Sequence, residues 1–163
     1  MRERFALLLS SIEKEWETIA KIAKKIISRE VALKKGDAQP SPEETVFIAY
    51  QMHNLYGALE EIFKQIARTF ENSLEDSARF HAGLLKKMAT DIYKMRPRFL
   101  SDETFRVLDE ARKFRHLFRH AYEYELDSGK VTELAALLAK NWTNVEEDKK
   151  KFMEFLIEQI DRK

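Results

Sequence analysis

The stretch "SPEETVFIAYQMHNLYGALEEIFKQIARTFE" (residues 41–71) decides the fold class, because it carries the start signal and the apolar periodicity of one long helix. Ser41 predicts an N-cap, Pro42 suits the first helical position, and Glu44 completes a Ser-x-x-Glu capping box. Apolar residues then recur at intervals of three and four. They are Val46, Phe47, Tyr50, Leu55, Leu59, Ile62, Phe63 and Ile66. The pattern predicts an amphipathic helix that ends near residue 71.

The remainder of the chain predicts four further helices and no strand. Pro97 ends the third helix because proline lacks an amide hydrogen, and Ser101 predicts the cap of the fourth. Gly129 is the expected stop of the fourth helix. The segment "KNWTNVEED" (140–148) predicts either a kink or a split in the fifth. The helices other than the one at 41–71 are expected over about 3–34, 73–96, 101–127 and 131–163.

Composition supports a single all-α domain over residues 1–163. The chain has only four glycines and three prolines, which favours a few long elements and predicts an antiparallel, up-and-down bundle of about five helices. The net charge of +1 does not by itself indicate a protein that binds nucleic acid. The absence of cysteine excludes disulfides and thiolate metal sites, and it suits a reducing cytoplasm. No signal peptide or membrane span is expected, so the predicted location is cytoplasmic.

The most unusual charge pattern is "RKFRHLFRHAYEYELD" (residues 112–127) on the fourth predicted helix. On a helical wheel, one arc is apolar and predicts the core face. That arc contains Val107, Ala111, Phe114, Leu117, Phe118 and Ala121. The opposite arc carries the cationic and titratable side chains Arg112, Lys113, Arg115, His116, Arg119 and His120, together with Glu123. Such an arc is either a solvated helix face or a site for an anion, and the spacing leaves both interpretations open.

The same segment resembles a known family. Arg115 and His120 form an Arg-x4-His pattern, and Tyr122 follows two residues later. This resembles the Arg-x4-His-x-Tyr motif of HEPN-domain ribonucleases, particularly the HepT-like toxins of toxin–antitoxin pairs. The likeness covers mainly residues 40–130, and it implies a HEPN-like helical bundle with the motif late in the domain.

The resemblance implies a metal-independent endoribonuclease, a hydrolase that needs no cofactor and binds RNA. Arg115 would bind the scissile phosphate, His120 would transfer protons, and His116 would stand where the family places a polar helper. Tyr122 would be the tyrosine that a partner nucleotidyltransferase antitoxin modifies with AMP. The neighbouring cations Arg112, Lys113 and Arg119 are expected to bind further RNA phosphates.

The spacing of Arg115 and His120 bears on oligomeric state. Five residues apart, the two side chains point about 140° from each other on one helix. A two-fold homodimer that pairs this helix with its copy would bring both Arg–His sets into one cleft. The sequence therefore predicts a homodimer with a composite site.

The residues leave two alternatives open. His116 and His120 have the i, i+4 spacing of a metal-binding pair, but no third ligand is evident and the surrounding cations disfavour a divalent ion. The protein could also be a non-catalytic helical subunit that partners a nucleotidyltransferase or binds nucleic acid. His53 and His81 are expected to be partly buried or surface residues and not ligands.

Overall fold

A computed structural model describes residues 1–71, 80–120 and 125–162, and the structural statements below refer to these residues. These residues form five helices and no strand, which confirms the predicted all-α class. The helices are α1 (Arg2–Gly36), α2 (Pro42–Glu71), α3 (Phe80–Met88), α4 (Asp102–Arg119) and α5 (Ser128–Asp161). Among the described helices, none is long and apolar enough to cross a membrane.

Helices that follow one another over short connections run antiparallel. Arg4, at the start of α1, donates from Nη2 to the carbonyl oxygen of Thr69 at the end of α2, at 3.0 Å. The backbone N–H of Ser101, which precedes α4, donates to Oδ2 of Asp148 in the second half of α5, at 2.8 Å. Both contacts join the start of one helix to a late position in the other, as short connections require.

The predicted start of α2 is confirmed in detail. The backbone N–H of Glu44 donates to Ser41 Oγ, and the backbone N–H of Ser41 donates to Glu44 Oε2, each at 3.1 Å. This reciprocal pair is a capping box, which satisfies two backbone donors at the helix start. The apolar stripe that follows is buried against the other helices through Leu55, Leu59, Ile62, Phe63 and Ile66. Its first members, Val46 and Tyr50, are exposed instead.

The predicted third helix is longer than the observed one. Its predicted start lies outside the described residues, and α3 ends at Met88 instead of near Pro97. The backbone N–H groups of Phe99 and Leu100 donate back to the carbonyl of Met88, at 2.7 and 3.0 Å. Arg96 turns inward, is buried, and donates to Glu71 Oε1 at 2.6 Å. These contacts fold the chain back under the end of α2, so a longer α3 is excluded.

The predicted boundary between the fourth and fifth helices is also corrected. α4 ends at Arg119 with His120 as its C-cap, and residues 125–127 are not helical. Gly129 does not stop a helix but lies in the first turn of α5, because Asp127 Oδ1 accepts from the backbone N–H groups of Gly129 and Lys130. α5 then continues unbroken through residues 140–148. Trp142, Val145 and Asp148 are buried there, which explains why this polar-looking segment stays helical.

Candidate functional site

A buried carboxylate joins α2, α3 and α4 at the centre of the candidate site. Glu60 on α2 is only 2% exposed. Its Oε1 accepts from Arg115 Nη1 on α4 at 3.1 Å, and Lys64 Nζ lies 3.7 Å from the same oxygen. Its Oε2 lies 2.6 Å from Nδ1 of His81 on α3. Because a buried carboxylate is stable only with such partners, Glu60 holds the three helices in one arrangement.

A cavity of about 300 Å³ opens beside this carboxylate. Within the described part of the chain, three arginines, two histidines and no acidic residue line it together with Ala82. The arginines are Arg112, Arg115 and Arg119, the histidines are His81 and His116, and Tyr56 closes the wall on α2. The lining therefore favours a small anion.

The structure brings together four of the residues that the sequence predicted for the site. Arg112, Arg115, His116 and Arg119 all line the cavity. Arg112 is also tied to its own helix, because its Nε donates to Asp109 Oδ1 at 2.9 Å. Arg119 has no ion-pair partner among residues 1–71, 80–120 and 125–162.

Two predicted residues lie outside the cavity, and one lies outside the described residues. Lys113 points away and pairs with Glu110 at 3.0 Å and Asp109 at 3.4 Å, and these hydrogen bonds raise its pKa above the ordinary value. His120 is exposed at the end of α4, with its ring centroid 5.1 Å from that of His116. Tyr122, the predicted modification site, lies outside the described residues.

The buried face of α4 is rotated relative to the predicted one. Leu117 was expected in the core, but it is 62% exposed. Arg115 was expected on the polar arc, yet its side chain is only 18% exposed because it reaches inward to Glu60. An ion pair with a buried carboxylate thus turns the nominally polar edge of the helix inward and moves Leu117 to the surface.

Two residues of the cavity lining, Tyr56 and His81, and the carboxylate beside it, Glu60, were not predicted as site residues. Glu60 looks like one of many acidic residues in a helix, the helical spacing of Tyr56 predicts a core position, and His81 was expected to be a partly buried or surface residue. Tyr56 is indeed buried, at 1% exposure, but its ring also lies 5.8 Å from the guanidinium carbon of Arg115. Glu60 is 21 residues from His81 and 55 from Arg115, so no local spacing could have connected them.

Comparison with known protein families matches the part of the chain that forms this cavity. A family model described as HepT-like protein matches residues 47–156, which include α3, α4 and most of α2 and α5. The chain belongs to the HepT-like family. Searches of curated proteins and of solved structures gave no match. The whole wall of the cavity in this HepT-like chain lies within the matched range.

Among the described residues, no group of three or more histidine, aspartate and glutamate side chains is placed to hold a metal ion. The His116–His120 pair considered from the sequence stands beside Arg119, a cation that repels a metal.

His53 on α2 lies where α4 packs on that helix. Its ring centroid is 5.2 Å from that of Phe118, and its Nδ1 is buried without a partner among the described residues. Burial, and then the charges of Arg115 and Arg119, lower the pKa of His53 from the ordinary 6.5. The folded protein therefore holds this histidine neutral at neutral pH.

We expect Glu60→Gln to lower the free energy of unfolding by about 2–3 kcal/mol, because it leaves the partly buried Arg115 guanidinium without its counter-charge. Urea denaturation measures this change. The matched control is Glu61→Gln, the adjacent and exposed carboxylate that pairs with Lys64 at 2.6 Å, which should change stability by less than about 0.5 kcal/mol. Equal effects of the two substitutions would show that Glu60 does not hold the helices together.

The lowered pKa of His53 predicts that the free energy of unfolding falls in mild acid. Because its folded pKa lies below 6.5, the unfolded chain binds the additional proton, and stability falls as the pH drops from 6.5 through the folded pKa. Urea denaturation at pH 7.5 and pH 5.5 should therefore show a smaller acid-induced loss in His53→Gln than in the wild type. An identical loss in both proteins would rule out this contribution.

Proposed function

We propose that this HepT-like protein is a metal-independent endoribonuclease, the toxin component of a HEPN/nucleotidyltransferase toxin–antitoxin system, and that it acts as a homodimer. The observation that carries the proposal is the cavity in which Arg115, Arg112 and Arg119 stand next to His116, on the same helix as His120. Membership in the HepT-like family supports the toxin class.

The guanidinium and imidazole groups of these side chains supply the phosphate binding and proton transfer that RNA cleavage requires. A guanidinium binds the phosphate oxygens and stabilises the negative charge that builds on them during RNA cleavage. An imidazole accepts the proton of the 2′-hydroxyl, whose oxygen bonds to phosphorus and forms a 2′,3′-cyclic phosphate. The bond from phosphorus to the 5′-oxygen breaks, and that oxygen leaves with a proton from a second imidazole. In this proposal Arg115 binds the phosphate, His120 transfers protons and His116 assists.

The dimer is proposed because Arg115 and His120 face different directions within one protomer. Arg115 reaches inward to Glu60, whereas His120 is exposed at the end of α4. Leu117, on the same turn as His120, and Tyr50, one turn before His53, are exposed large hydrophobic side chains on the two helices that meet at the His53–Phe118 contact. A second copy covering them would bring its own His120 towards this region. Usual dimerisation in the HepT-like family supports this part of the proposal.

We take residues 1–163 as one HEPN-like domain, since α1, outside the family match, packs on α5 with Trp16 and Trp142 stacked at 6.0 Å.

We also propose that a cognate nucleotidyltransferase antitoxin silences the site by adding AMP to Tyr122, because added negative charge repels RNA. A chain without cysteine suits the reducing cytoplasm where such a pair would act.

We expect His120→Ala to lower RNA cleavage by about 100-fold or more while the dimer persists, because it removes the proton-transferring group. Cleavage is measured on purified protein in EDTA, with detection of 2′,3′-cyclic phosphate ends, and the dimer is measured by analytical ultracentrifugation. The control is Arg106→Ala, which removes an exposed cation of α4 outside the cavity and should leave cleavage unchanged. Full activity in His120→Ala would contradict the assignment.

Mixed dimers test the composite site. Arg115→Gln and His120→Ala should each be inactive alone, yet a dimer containing one chain of each should regain cleavage, because one chain supplies His120 and the other Arg115. Continued inactivity of an isolated mixed dimer would place both residues of a working site in one protomer. A wild-type dimer that cuts no RNA would instead favour the non-catalytic subunit that partners a nucleotidyltransferase or binds nucleic acid.

A further inference from the structure

Two residues that line the cavity each carry a buried donor that has no partner among the described residues. The Tyr56 hydroxyl and Arg115 Nε are both buried, and neither has a hydrogen-bond partner among the described residues. Buried polar groups without a partner are uncommon in folded proteins, because each loses its hydration without compensation. Such groups bind water or a ligand, and here both belong to residues that line the same cationic cavity.

We propose that this cavity binds one phosphate group of a ribonucleotide within a single protomer, with the Tyr56 hydroxyl, the Arg115 guanidinium and the His81 imidazole as its ligands. The inference rests on the proposed function for the chemical class of the ligand. It adds Tyr56 and His81 to the site, and it assigns phosphate anchoring to residues of α2, α3 and α4 in the same chain.

The nearby carboxylate does not occupy the place of the phosphate. Both oxygens of Glu60 are engaged, Oε1 by Arg115 Nη1 and Lys64, and Oε2 by His81 Nδ1. Glu60 itself is not part of the cavity lining. It uses one nitrogen of the Arg115 guanidinium and leaves Nε unpaired, so the arginine can hold the carboxylate and a phosphate oxygen at once.

The Tyr56 hydroxyl is suited to an anion and not to a cation. Burial, and then the negative charge of Glu60, raise the pKa of Tyr56 far above its ordinary value of 10.0. The group therefore stays a neutral phenol, whose proton can be donated to a phosphate oxygen. Arg112 and Arg119, which line the same cavity, add positive charge around the bound group.

His81 is held in place by the same carboxylate. Its Nδ1 lies 2.6 Å from Glu60 Oε2, so with an ionised glutamate the Nδ1–H donates and the ring orientation is set. Nε2 is then left for the cavity that His81 lines, and in the imidazolium form Nε2–H can donate to a phosphate oxygen. Three donors from three helices suit a tetrahedral group with several acceptor oxygens better than a planar carboxylate.

The decisive experiment removes only the Tyr56 hydroxyl. Isothermal titration calorimetry with inorganic phosphate and with adenosine 3′-monophosphate should show binding to the wild-type dimer. Tyr56→Phe should weaken both affinities by about 10-fold or more, the effect of losing one hydrogen bond to a charged group. Its thermal unfolding should stay unchanged, since the hydroxyl has no protein partner. The control is Tyr93→Phe, an exposed tyrosine outside the cavity.

A second readout follows His81 directly. The imidazole resonances of His81 should shift when inorganic phosphate is added to the wild type, and His81→Gln should weaken phosphate binding. Unchanged phosphate affinity in Tyr56→Phe, unmoved His81 resonances, or no phosphate binding by the wild type would each overturn the inference. Phosphate binding that depends on Tyr56 in a protein that cuts no RNA would support this site and reject the ribonuclease. RNA cleavage by the wild type, together with full phosphate affinity in Tyr56→Phe, would reject this site and support the ribonuclease.

Discussion

The arrangement of this site depends on one buried carboxylate, Glu60. An ionised carboxylate inside a helical bundle is stable only when cationic or donor groups surround it, and Glu60 obtains them from two other helices. Satisfying this single charge therefore fixes α4 and α3 against α2. The same pairing turns Arg115 inward and aligns α4 so that Phe118 meets His53. A group that would destabilise the core on its own thus determines where the candidate catalytic helix lies.

A second polar clamp sets the start of that helix. Arg96 is buried, donates to Glu71 at the end of α2, and also donates to the backbone carbonyls of Lys87 and Pro97 at 3.1 and 3.2 Å. It holds the turn between α3 and α4 in place, and the hydrogen bond from Ser101 to Asp148 then ties the start of α4 to α5. The helix is thus held by polar contacts near both ends, which is useful for a site that must keep several arginines close together against their repulsion.

The cations of α4 differ in their surroundings: some pair with acidic residues of the same helix, and others line the cavity. Lys113 is neutralised by Asp109 and Glu110 one turn earlier, and Arg112 shares Asp109. Arg115 is shared between Glu60 and the cavity, whereas Arg119 faces the cavity with no described counter-charge. A near-neutral protein can therefore present a local anion site, because the acids of the same helix offset the outer cations and leave the inner ones to a ligand.

The sequence by itself determined the all-helical class, the five helices found among the described residues and the capping box of α2, because each is encoded within a few turns by periodicity or local hydrogen bonding. Only the tertiary structure decided where α3 ends, since backbone bonds from Phe99 and Leu100 to Met88 compete there with local helix propensity. It also decided that Leu117 faces solvent. The joining of Glu60, His81 and Arg115 was equally beyond the sequence, because the packing of three helices brings together charges that are 21 and 55 residues apart.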